Sequence, residues 1–256
     1  TKPADGSAVT VWTDKARRNH ATQVVPAMQP SYVANGLGTG ALAFDGLDDF
    51  MGLPVDINVS ALPAMTVVVV YQNKQGHPSN LAGVWGNDSP GWNRFLISGG
   101  IAGAAAYGSS KGDGVAQAPD LAANDVPLIA VTTLVNGVAD ASTVHVNGKL
   151  GTRFKEDHNI PGTPSMSIGN LDGPEFKLTN PNVTGPRATE AFDGLIGELM
   201  VFDRALSPAA RNQLGKSLAA KYGLASYCGD GVTGPGEDCD NGVNDGVGCS
   251  ATCSNP

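Results

Sequence analysis

No cysteine stands before position 228, and no Lys or Arg follows Lys221. The first absence rules out a disulfide framework for most of the chain. The second, with a net charge of -8 and no basic stripe, excludes nucleic acid as a partner, since affinity for phosphates comes largely from Lys and Arg. Long apolar runs are also missing. The longest, around 67–71, is far short of the roughly 20 residues a membrane-spanning helix needs, so no membrane insertion is expected. The four histidines, His20, His77, His145 and His158, are scattered and form no H-E-x-x-H arrangement, which removes a protease-type metal site. There is no E-x-D-x-x-E, the strand motif of retaining glucanases. Thr1 opens the chain with neither methionine nor a basic and apolar leader, as expected of a mature or trimmed product.

What is present points to β-structure. The 256 residues are 41% hydrophobic and include 34 Gly and 17 Pro, which suits one large β-rich core. The segment 192–207, FDGLIGELMVFDRALS, organises the rest. Its side chains alternate, with Ile196, Met200 and Phe202 expected on one face and Leu195, Leu199 and Val201 on the other. A strand apolar on both sides belongs in the middle of a covered sheet. Ser207 can cap a following helix, Pro208 can fill its first turn, Ala210, Leu214, Leu218 and Tyr222 recur at helical spacing, and Gly223 marks the stop.

Elsewhere AVTVW at 8–12 alternates like a short strand. The stretches 40–47 and 50–53 predict two strands around an acidic turn, and AMTVVVVYQ at 64–72 predicts a second central strand. LAGVWG, WNRFLISG and IAGAAAYG have the spacing of a meander. PLIAVTTLV at 127–135 and STVHV at 142–146 follow, then Asn147-Gly148, the dipeptide of a tight type I′ hairpin. MSIGN at 166–170 adds another strand, and 173–190 reads as a long surface loop. The pentapeptide AFDGL occurs at 43–47 and again at 191–195, and each copy is expected to place a carboxylate and a glycine where a strand begins. The fold class is all-β: a two-sheet antiparallel jelly-roll sandwich with one C-terminal amphipathic helix and a small disulfide-rich tail. The division is a jelly-roll domain at 1–225 and an acidic cysteine-rich segment at 226–256.

Several constellations carry chemistry. Asp45, Asp48, Asp49 and Asp193 offer hard oxygens beside glycines, as Ca2+ requires; Asp is equally at home in turns for its own backbone hydrogen bonds. In the tail Asp230, Glu237, Asp238, Asp240 and Asp245 repel one another unless something neutralises them, which points to a metal there too. With five acids and no base, that segment carries -5 and the body -3. Cys228, Cys239, Cys249 and Cys253 are read as disulfides rather than a zinc site, since the segment has no histidine and no C-x-x-C. They allow three pairings; neighbours, Cys228 with Cys239 and Cys249 with Cys253, are the expected choice. Trp85, Trp92 and Tyr107 could provide platforms for a sugar, with Asn87, Asp88, Asn93 and Arg94 alongside, against the alternative that the tryptophans fill the core. Gly108-Ser109-Ser110-Lys111-Gly112 fits G-x-S-x-G but continues as loop rather than helix, so it predicts no nucleophile. Glu198, the acid inside the central strand, is expected to be a buried acid held by hydrogen bonds or a metal, with a catalytic role as the rival reading.

Taken together, Val9, Trp12 and Asp14 at slightly shifted spacing, then 44–49, 146–148, 192–198 and 221–223, resemble the laminin G-like, concanavalin A-like jelly rolls, specifically a bacterial group with V-x-W-x-D, F-D-G-x-D-D, V-N-G, F-D-G-x-I-G-E and K-Y-G. The likeness covers 8–223. Such domains usually start with an extra apolar strand, which is missing before Thr1. The C-G-D-G, G-E-D-C-D and G-C-S-A-T-C elements of 228–253 resemble a cysteine-rich repeat of secreted and surface proteins of myxobacteria. That repeat usually comes in series, so a longer modular parent protein is expected. The resemblance implies a secreted or cell-surface, non-catalytic recognition or adhesion module, calcium-dependent and directed at a glycan or a cell-surface protein. The alternatives are a polysaccharide-degrading glycosidase or lyase on the same fold, and a structural or protein-binding module of a larger surface protein.

Overall fold

The computed structural model describes residues 2–15, 19–74, 82–87, 94–98, 124–157, 165–171, 190–243 and 248–254. Within them thirteen strands precede one α-helix: β1 (Val11–Trp12), β2 (Ala21–Thr22), β3 (Ser31–Val33), β4 (Ala41–Asp45), β5 (Met51–Leu53), β6 (Ala64–Asn73), β7 (Gly83–Gly86), β8 (Phe95–Ile97), β9 (Leu128–Val135), β10 (Ser142–Val146), β11 (Lys149–Phe154), β12 (Met166–Ile168), β13 (Asp193–Phe202) and α1 (Pro208–Tyr222). Two antiparallel sheets face each other as a jelly-roll sandwich. One has the order β1-β2-β5-β12-β7-β8, the other β11-β10-β9-β6-β13-β4-β3. The predicted loop at 173–190, apart from Glu190, lies outside the described residues, as do IAGAAAYG and the G-x-S-x-G stretch.

The seven-stranded sheet is covered on both sides, as its sequence requires. From β6, Met65, Val67, Val69 and Tyr71 point into the sandwich, while Val68 and Val70 point outward under α1 with Ile129, Val131, Leu218, Ala219 and Tyr222. β13 lies between β6 and β4, the central position expected of it. Its alternation, however, does not run as the sequence predicts. The register slips between Ile196 and Glu198, placing a bulge at Gly197. As a result Ile196, Leu199 and Val201 face the sandwich core, while Leu195, Met200 and Phe202 face the helix side. The bulge is where the helix closes down on the sheet: a Cβ at Gly197 would lie 2.9 Å from Tyr222 Cε1 and 3.0 Å from Leu37 Cδ1.

The two AFDGL copies are neighbours. Asp193 pairs opposite Asp45, Gly194 opposite Phe44 and Leu195 opposite Ala43, so one copy closes β4 while the other opens β13, a correction to the expectation that both open strands. Phe44 and Phe192 meet edge to face at 6.2 Å, and Tyr71 packs on Phe192 at 6.0 Å.

Local signals at the end of the body act as read. Ser207 Oγ accepts the Ala210 N–H, Pro208 opens α1, and Gly223 ends it in the left-handed region at φ 65°. Asn147 and Gly148 have φ 47° and 81°, as a type I′ hairpin between β10 and β11 demands. No helix among the described residues is long and apolar enough to cross a membrane.

The cysteine-rich segment is docked on the body. Tyr227, fully buried, rests on Gly215 of α1, where a Cβ would collide with its ring. The Cys228 N–H bonds to Asn147 O and the Leu150 N–H to Ala251 O, so both ends of the segment meet the β10–β11 hairpin. This decides the disulfides. The pairs are Cys228–Cys253 and Cys239–Cys249, one nested inside the other, in place of the expected neighbouring pairs. The first and last cysteines are brought together by the hairpin that both ends grip.

Candidate functional site

Register places three chain ends at one rim of the sandwich. β4 ends at Asp45, β13 begins at Asp193 opposite it, and β6 ends at Asn73, which pairs with Gly194 and bridges to Asn124. In the other sheet Ile168 at the end of β12 sits opposite Met51 at the start of β5, so the turn from β4 to β5 crosses between the sheets at this rim. The described residues that flank 75–81, 99–123 and 172–189 stand at the same end. Long connections leaving a rigid rim are where sandwiches carry binding sites.

The acidic turn is built at the core's edge. Phe44 is buried, and the chain then turns over Gly46 in the left-handed region at φ 75°. Asp45 Oδ1 accepts the N–H groups of Leu47 at 2.8 Å and Asp48 at 3.3 Å, while Asp49 Oδ2 accepts the Asp45 N–H at 3.1 Å. Asp45, Asp48 and Asp49 each offer a carboxylate oxygen within 4.8 Å of the others. Asp49 is only 8% exposed. Burial first, and then the Asp45 charge, push its carboxyl up to about 6; Asp48 is raised by the same two causes in the same order. Three acids crowded on one turn, the innermost pushed toward neutrality, fit a hard divalent cation, with other oxygens completing the six to eight ligands. Asp193 is not in the group. It pairs with Lys74 at 3.4 Å.

In the tail the carboxylates are already answered by backbone. Asp240 Oδ2 accepts the N–H groups of Gly229 at 2.7 Å and Asp230 at 3.1 Å, and its Oδ1 those of Gly231 at 3.1 Å and Gly242 at 2.7 Å. Asp230 Oδ1 takes the Val232 N–H and Glu237 Oε2 that of Gly234. Mutual repulsion therefore does not oblige this segment to hold an ion. Glu237, Asp240 and Cys253 do lie close together, but the Cys253 sulfur is in a disulfide and cannot serve as a thiolate ligand. Asp238 contributes its backbone N–H to Cys253 O, and Asp245 lies outside the described residues.

The sugar-platform residues that are described, Trp85, Asn87 and Arg94, are buried rather than presented at a surface. Trp85 is fully buried in the main core cluster, so the core-filling alternative holds for it. Asn87 is buried and donates to Ser165 O at 2.9 Å. Arg94 is buried against Glu156. A fully buried indole or guanidinium presents nothing to a saccharide. Asp88, Trp92, Asn93 and Tyr107 lie outside the described residues.

Glu198 follows the Gly197 bulge on the helix side of the sheet. Its Oε2 accepts from Lys221 Nζ at 2.5 Å and from Tyr222 Oη at 3.1 Å, so it is held by hydrogen bonds. The ion pair is partly exposed, and Glu198→Gln is expected to cost less than about 1 kcal/mol in a urea titration.

No model of a known protein family matches the chain, and no curated protein matches it. Solved structures do. The receptor binding domain of botulinum neurotoxin mosaic serotype C/D is similar at TM-score 0.51 and 11% identity, over 82% of this chain and 51% of that one. A Trypanosoma rangeli sialidase gives TM-score 0.49 and 16% identity over 79% of this chain and 30% of that chain. Domains LG4-5 of the mouse laminin alpha1 chain give 0.40 and 15% over 70% and 44%. The chain thus spans at most about half the length of these three proteins. At such identities the shared fold is what the likeness establishes.

Proposed function

We propose that this chain is a secreted or cell-surface recognition module without catalytic activity, binding a glycan with the help of a calcium ion held at the acidic rim by Asp45, Asp48 and Asp49. The observation that carries this reading is the turn itself: three carboxylates meet where the long connections leave the sandwich, and the buried one is held far from its ordinary titration range. Two disulfides support an oxidising compartment. The similar neurotoxin domain is a receptor binding domain, which is compatible with a binding role on this fold. The cysteine-rich segment, on this reading, belongs to a longer modular protein.

The test is retention on a broad polysaccharide and glycan array in calcium and again in EDTA, with an assay of the supernatant for new chain ends. Calcium-dependent retention without product supports the proposal. Product would make the chain an enzyme, and retention in EDTA would remove the metal from it.

Asp49 gives the ion its own signature. Because its folded pKa is raised to about 6, its contribution to stability is present below the ordinary 3.8 and is lost as pH rises through 6. The ion-free protein should therefore gain stability from this group between pH 7 and 4. Asp49→Asn should stabilise the EDTA-treated protein at pH 7 by about 1 kcal/mol, solvent screening included, and should abolish the thermal shift that calcium gives the wild type. That shift corresponds to about 2.7 kcal/mol at a hundredfold excess over Kd, and it should shrink below pH 6 as the proton competes. Equal melting of wild type in calcium and EDTA at pH 7 would rule out the rim site.

A further inference from the structure

Beneath the docked cysteine-rich segment lies a cluster of polar groups that the rim site does not use. Tyr227 Oη, Arg211 Nε and His145 Nδ1 are all buried without a hydrogen-bond partner among the described residues. Tyr227 is 0% and His145 3% exposed. The three come from three elements. Arg211 and Gly215 are one helical turn apart on the same face of α1, and the Tyr227 ring rests on Gly215. His145 stands on β10 opposite Val131, whose side chain is in the cluster under the helix, so the imidazole faces α1. Arg153 of β11, opposite Thr143, is on that same face.

The electrostatics of the cluster run one way. Burial holds the His145 imidazole well below its usual range, and Arg211 and Arg153 push in the same direction, so it is neutral at pH 7. Burial raises the Tyr227 phenol to about 12, so it keeps its proton. Among the described residues no carboxylate is one of the charged groups acting on His145 or Arg211. The described tail acids are turned elsewhere: Asp240 is filled by four backbone N–H groups, and Asp230 Oδ1 takes the Val232 N–H. Arg211, partly buried, and Arg153, exposed, thus share one region with no carboxylate acting on Arg211 among the described residues, and a guanidinium drawn out of water without a counter-charge is costly. A water molecule could satisfy the donors but would leave the charge uncompensated.

We propose that Arg211, Tyr227 and His145 bind a small inorganic anion of chloride size, which joins the cysteine-rich segment to the helix and sheet. The donors, a guanidinium N–H, a phenol O–H and an imidazole N–H, are enclosed rather than open to solvent, so the site suits a monatomic anion in preference to a sugar acid or a phosphate ester. It is independent of the acidic rim, which lies at the far end of β4 and β13.

The experiment uses the whole chain. Its thermal midpoint is followed as sodium gluconate is exchanged for sodium chloride at constant ionic strength, and crystals grown in sodium bromide are measured at the bromine edge. The midpoint should rise with chloride and saturate, and an anomalous peak should lie among the three donors. Tyr227→Phe removes one donor while keeping the ring on Gly215, and should move the chloride response to at least about tenfold higher concentration, one lost hydrogen bond to a charged group being worth that much. Arg211→Gln should abolish it. A midpoint indifferent to the anion, a response unchanged in both variants, or bromide crystals with no peak at the cluster would each overturn the site.

Discussion

Arg94→Met is expected to destabilise the protein by about 3–5 kcal/mol, because it strips the partner from a carboxylate that water cannot reach. Arg94 and Glu156 have side chains 0% exposed. Every guanidinium nitrogen donates: Nε to Glu156 Oε1 at 2.5 Å, Nη2 to Oε2 at 2.9 Å, and Nη1 to the carbonyls of Ile57 and Leu62 at 2.9 and 2.6 Å. It stands just before β8 of one sheet, while Glu156 follows β11 of the other, so the pair ties the two layers together. Such a fork matches a carboxylate as no lysine could, so Arg94→Lys should fail to rescue. The double variant Arg94→Met/Glu156→Leu should recover much of the loss, since an apolar pair needs no counter-charge. It will not recover all, because Ile57 and Leu62 keep carbonyls with a donor removed. Urea titrations of the two singles and the double decide the matter. A single-variant loss below about 1 kcal/mol would mean that the pair is solvated in solution.

The second large effect reverses an ordinary rule. In an exposed helix interior, alanine is better than glycine by about 1 kcal/mol. At position 215 of α1 the same change should destabilise by about 1–3 kcal/mol, because the new methyl would occupy the Tyr227 ring and force the cysteine-rich segment away from the helix. The sign should flip back in a Tyr227→Ala background, where Gly215→Ala regains its helical advantage. That variant pays for its lost ring by itself, so the informative quantity is the coupling in the double-mutant cycle. Faster proteolysis of the segment in Gly215→Ala, at unchanged disulfide content, would locate the damage. Additive effects would show that the segment does not rest on α1.

The features of this fold that were legible in the sequence are those decided within a few residues. The α1 boundaries follow from Ser207, Pro208 and Gly223, whose effects act on the adjacent turn. The β10–β11 turn follows from Asn147-Gly148, and the placement of β6 and β13 at the middle of a covered sheet follows from side chains apolar on both faces. Of the candidate site, the acidic turn at 45–49 was visible as a cluster, because its three carboxylates are neighbours along the chain.

Tertiary structure decided the rest, because the deciding contacts join residues distant in sequence. The bulge at Gly197 exchanges the faces of Met200 and Leu199, and nothing within 192–207 announces it; the approach of Tyr222 and Leu37 does. Asp193 looked equivalent to Asp45 because both sit in AFDGL, yet Lys74 claims it, and only Asp48 and Asp49 stay grouped with Asp45. Trp85 and Arg94 carry the residue types of a sugar platform, but an indole in the core and a guanidinium held by Glu156, 62 residues away, have the same letters as exposed ones. The disulfide pairing was open to sequence because cysteine spacing carries no record of the hairpin that both ends of the segment grip. Local chemistry fixes which elements form and where they stop; which face is buried, which charges are paired and which sulfurs meet depends on what the rest of the chain brings against them.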